Sequence, residues 1–169
     1  SYWDTSNVES MKWMFWAKDG SNVVRDPAYS FVEKGLSNWD TQNVRDFTQI
    51  FAHNNTFNEK IGTWDVSNVT SMAGMFAVCK SFNQPLNGWN TSDVTDMEQM
   101  FISATSFNQP LNGWNTSNVT NMSYMFQAAK SFNQPLSGWN TSNVTTMELM
   151  FANATSFDQP LNNWDLSNV

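Results

Sequence analysis

Apolar side chains return along this chain with a period of 25 residues. Trp39, Trp64, Trp89, Trp114, Trp139 and Trp164 mark the period; counting each Trp as position 0, apolar residues recur at +5, +8, +11, +12, +18 and +22. In the copy that begins at Trp114 they are Val119, Met122, Met125, Phe126, Phe132 and Leu136. In the copy at Trp39 they are Val44, Phe47, Ile50, Phe51, Phe57 and Ile61. Exchange of Met for Phe or Ile, with apolar character kept, is what buried packing positions permit. The copies at Trp89 and Trp114 agree at 17 of 25 positions, and those at Trp114 and Trp139 at 16 of 25, so one structural unit is written repeatedly.

Spacings of 3 and 4 among Val119, Met122, Met125 and Phe126 predict a short helix with one buried stripe. Thr95 with Glu98, and Thr145 with Glu148, have the spacing of a capping box at its start. Pro85, Pro110, Pro135 and Pro160 forbid its continuation. Residues Leu136 to Thr141 predict a short strand with Trp139 and Thr141 inward, because Val66 and Leu166 stand in the column of Thr141. The expected fold class is therefore an α/β repeat solenoid of about six coils with a parallel strand ladder. A lone coil buries too little apolar surface to offset its ordering entropy, so the copies must stack.

The whole chain, 1–169, reads as one solenoid domain. An irregular first copy, 3–38, carries an insertion near 18–30; regular copies follow at 39–63, 64–88, 89–113, 114–138 and 139–163, and 164–169 starts another. Both ends fall in the same phase of the repeat, which suggests a window of a longer array with any targeting signal and anchor outside it. Fourteen of the 23 charged residues lie within residues 1–63, so individuality is concentrated in the N-terminal third.

Charge and chemistry narrow the function. Charged residues are 14% of the chain and the net charge is -7, which is no footprint for nucleic acid. No apolar run approaches the roughly 18 residues of a membrane span, so this segment is not expected to insert in a membrane. Cys79 stands at +15, where other copies carry Ala104, Ala129 and Ala154, and reads as a small buried side chain. His53 is the only histidine, so a catalytic triad or His-based metal site lacks material. The expectation is a protein that is not an enzyme, with no catalytic residue, cofactor or metal.

What remains is a face. If the strand alternates, positions +1 and +3 point outward, which makes Asp40, Asp65, Asn90, Ser92, Asn115, Ser117, Asn140 and Ser142 candidate binding residues. Trp13, Trp16 and Tyr29 join them as aromatics outside the repeated columns, suited to sealing the insertion, stacking on a sugar or anchoring a partner. The Asn/Asp column at +4, from Asn43 to Asn168, is expected to hydrogen-bond its own turn.

The run SNVTNMSYMF, followed by FNQPL and Trp139, resembles the repeat of BspA-type bacterial surface lipoproteins and adhesins, a branch of the leucine-rich-repeat group. Met125 and Phe126 stand near that pattern's Ala-Phe pair and Ala129 near its Cys. The resemblance implies a leucine-rich-repeat-like solenoid displayed outside the cell for adhesion or recognition, with a protein or glycan on another surface, or copies of itself, as partner. A structural spacer or self-assembling filament unit is the alternative, favoured by the uniformity of the copies from Trp64 onward.

Overall fold

The computed structural model describes residues 4–16 and 35–169. Tyr29 and the predicted insertion at 18–30 lie outside the described residues. Within the described part, consecutive copies lie side by side in sequence order. Parallel bridges join Ser10 to Asp46, Asp46 to Ser71, Ser71 to Asp96, Asp96 to Asn121 and Asn121 to Thr146, all at position +7.

Neither predicted element forms. The only helical element among the described residues is a single 3-10 turn, Leu36–Asn38, and the bridges are isolated ones rather than parts of strands. Where the 3/4 spacing predicted a helix, the chain makes a run of overlapping β-turns. Ile50 N–H bonds the Phe47 carbonyl at 3.2 Å, Ala52 that of Gln49 at 3.1 Å, and Asn54 that of Phe51 at 3.0 Å. The third residues of the first and last of these turns have left-handed backbone, Gln49 at φ 54° and His53 at φ 66°. A type II turn needs that conformation at its third residue.

The intervening amides point to the next copy. Phe47 N–H donates to Ser71 O at 3.0 Å, Gln49 to Ala73 at 2.8 Å, Phe51 to Met75 at 3.2 Å and His53 to Ala77 at 2.7 Å. The same alternation runs from Met72 to Val78 and from Met97 to Ser103. Every amide of such a run thus has an acceptor, alternately within the copy and across to its neighbour, as a buried backbone requires. An α-helix would satisfy these amides internally and leave nothing to pair the copies. The apolar spacing resembles that of a helix because a turn closed between residues three apart and a 3.6-residue helical turn both bring such residues to one side.

The segment Leu136 to Thr141 is likewise no strand. Trp139 N–H closes a turn on the Leu136 carbonyl at 3.1 Å, and Val144 closes the next on Thr141 at 3.0 Å. The expected inward side chains are nevertheless buried: Trp114 is 2% exposed, and Thr41, Thr91, Thr116 and Thr141 are 1% exposed. Each of these threonines donates its hydroxyl to the +1 carbonyl of the next copy, Asp65, Asn115, Asn140 and Asp165, at 2.9 to 3.0 Å. Burying the hydroxyl is affordable because it is bonded.

Aromatic columns fill the interior. Trp89, Trp114, Trp139 and Trp164 stack with ring centroids 6.2 to 6.5 Å apart. Each indole also donates to the carbonyl of the residue three before the preceding Trp, as Trp114 does to Leu86 at 3.0 Å. The Phe at +12 runs in a second column, with Phe76, Phe101 and Phe126 at 5.4 and 5.5 Å. The Phe at +18 lies flat against it, Phe101 on Phe107 at 4.1 Å. Such offset stacks add to the area they bury.

Candidate binding face

The +1 column is exposed, but its side chains are engaged. The Asp40 carboxylate accepts the Gln42 N–H at 3.2 Å and Asp65 that of Ser67 at 3.0 Å. Asn90, Asn115 and Asn140 do the same for Ser92, Ser117 and Ser142 at 3.0 to 3.2 Å. These are Asx-turns, in which the side chain mimics a backbone acceptor. The bond from Ser67 N–H holds the Asp65 carboxyl below its ordinary value of 3.8. The +3 serines are half-buried rather than fully outward.

The +4 asparagines bond differently from expectation. Asn43, Asn68, Asn118, Asn143 and Asn168 donate their side-chain amides to the +3 carbonyl of the preceding copy, at 2.6 to 2.7 Å, not to their own turn. Asp93, an acceptor only, breaks that ladder. A second ladder explains FNQP: Asn108 Oδ1 accepts the Asn133 N–H and the Gln134 side-chain amide, both at 3.0 Å. Position +6 adds a third, with Thr95, Thr120 and Thr145 hydroxyls donating to the +6 carbonyl one copy earlier at 3.1 to 3.2 Å. The capping boxes at Thr95 and Thr145 therefore do not form. Recurrence of these polar residues reflects joining of copies.

The first copy is different. Trp13 is 57% exposed and Trp16 is 39% exposed, whereas the indoles at position 0 from Trp64 to Trp139 are buried. Both lie on one turn, closed by Trp16 N–H on the Trp13 carbonyl at 3.2 Å. Trp13 Nε1 donates to Gln49 Oε1 at 2.8 Å, the Lys12 ammonium sits 4.9 Å from its ring centre, and Trp16 meets the His53 ring edge-on at 6.3 Å. Gln49 occupies space that Gly74 leaves open, since a Cβ on Gly74 would lie 2.8 Å from Gln49 Cγ.

Sequence reasoning named the two tryptophans but missed Lys12, Gln49 and His53. Gln49 stands at +10 of its copy as Trp13 does of the first, a match that the 36-residue first copy obscured.

Other chemistry is sparse. Cys79 is fully buried, its thiol donates to the Phe51 carbonyl at 3.0 Å, and burial pushes it far above the ordinary thiol range. Such a group is inert as a nucleophile. Glu148, hydrogen-bonded to Tyr124, raises that phenol. Among the described residues no group of three or more His, Cys, Asp or Glu gathers as a metal site needs, and no helix is long and apolar enough to cross a membrane.

A family model described as "Mycoplasma protein of unknown function, DUF285" matches residues 1–24, 18–120 and 86–169, which together span the chain. No curated protein and no solved structure matches it significantly.

Proposed function

We propose, from the premise that this chain belongs to the DUF285 family, that it is a non-catalytic binding module of a surface-displayed, extracellular repeat protein. In this reading the copies form a solenoid, stacked without the strand and helix of a leucine-rich repeat. The uniform copies are its rigid support and the first copy carries recognition of a protein or glycan on another surface. One contrast supports the division of labour: the recurring +4, +6 and +19 side chains are tied between copies, while Trp13 and Trp16 are exposed on the least regular copy. Exposed aromatics held in fixed orientation are common anchors of recognition.

The test is capture of the labelled chain on an array of extracellular proteins and glycans. Binding that Trp13→Ala reduces supports the reading; an array without any bound spot removes it. A second reading, a spacer or self-assembling unit, draws on the same interlocked ladders, which suit a stiff rod. Light scattering at high concentration tests its self-assembly arm: a monomer throughout would argue against it.

A further inference from the structure

The exposed pair on the first copy has a chemistry of its own. Trp13 and Trp16 stand at the first and last positions of one β-turn, which by its definition brings their Cα atoms within about 7 Å. Their backbone is fixed by the 3.2 Å turn bond, and Met11, Trp13 and Phe15 amides are bonded to Asp46, Thr48 and Ile50 at 2.8 to 3.1 Å. Little is left to order when a ligand arrives. The Gln49 amide stands at the Trp13 indole nitrogen and the His53 imidazole edge-on to Trp16, while the Lys12 ammonium lies over one face of the Trp13 ring.

A buried protein interface centres on a contiguous apolar patch inside a polar rim. Here the apolar area is two rings directly bordered by donors and acceptors. A pyranose has the complementary make-up, a C–H face for an aromatic ring and hydroxyls at its edge. The net charge of -7 disfavours acidic sugars. We propose that Trp13 and Trp16 form a stacking platform for a neutral oligosaccharide, oriented by Gln49 and flanked by Lys12 and His53. This rests on the binding-module reading and specifies its ligand.

Isothermal titration of the 169-residue chain with cellotetraose, chitotetraose, mannotetraose and lacto-N-neotetraose tests it. Saturable binding of at least one, at one site per chain, is expected. Trp13→Ala and Trp16→Ala should each weaken it about tenfold, and Trp13→Tyr should retain most of it. Leu149→Ala, at the equivalent +10 position of the last regular copy, should leave it unchanged. Because both indoles are exposed, the variants should melt as the parent does. Should either melt lower, Gln49→Ala is the second variant, and weakened binding by it is expected. Failure of all four sugars to bind, or binding that survives every platform substitution, overturns the proposal. If the array captures proteins but no glycan, this inference falls and the binding-module reading stands; capture of neither removes both.

Discussion

Val78 is a β-branched residue at φ 61°, a backbone region that costs such side chains about 1 to 2 kcal/mol. It is held there because its N–H must reach the Ile102 carbonyl, at 2.7 Å. Asn tolerates that conformation and already occupies the same column at Asn153, φ 59°. Val78→Asn should therefore stabilise the protein by about 0.5 to 1 kcal/mol, visible as a raised midpoint in urea; a lowered midpoint would mean packing of the half-buried valine outweighs its strain. Asp65 gives a pH effect of known sign. Its carboxyl, held below 3.8 by the Ser67 N–H, contributes stability that is present above that value and lost as acid takes the pH through the lowered one. Asp65→Asn should flatten the fall of melting temperature below pH 3.8, and an unchanged profile would contradict this.

In the repeating element, the run of turns and the asparagine ladder depend on each other. Alternate amides between +8 and +14 leave their own copy, so spacing between copies must stay constant, and Asn at +19 holds that spacing on another side of the coil. Asn108 accepts from Asn133 and Gln134 and donates its own N–H to Asn83 Oδ1 at 3.0 Å. Asn108→Ala removes the acceptor of two exposed donors, which water can then satisfy, and should cost about 0.5 to 1.5 kcal/mol. Asn108→Asp keeps both acceptors and should cost clearly less, as Asp158 in the same column suggests; equal losses in thermal melts would assign the cost to something other than these bonds. The turns themselves were not legible in the sequence. Gln49, Val78, Tyr124 and Leu149 carry no mark of left-handed backbone, and of this set of positive-φ positions only Gly74 is a glycine.

Across the whole molecule, backbone bonds join each copy to its neighbours, so stability should propagate along the chain as in a one-dimensional array. Trp114 lies mid-way, stacked on Trp89 at 6.2 Å and Trp139 at 6.5 Å. Trp114→Ala should cost about 3 to 5 kcal/mol. Because it cuts the column, hydrogen exchange should rise most in the copies beside it, and urea melts should broaden or split. One sharp transition, merely displaced, would mean that cooperativity spans more than adjacent copies.

The order of residues by itself determined the period, the interior columns and the inward threonines, because exchange of one apolar side chain for another at fixed spacing is visible without coordinates. It also marked the first copy as the individual one and named its tryptophans. Only the tertiary structure decided that the 3/4 spacing becomes turns rather than helix, and that asparagine, glutamine and threonine columns bind copy to copy. Those outcomes turn on where each backbone amide finds its acceptor, and in this protein half of the acceptors in each run belong to a neighbour about 25 residues away.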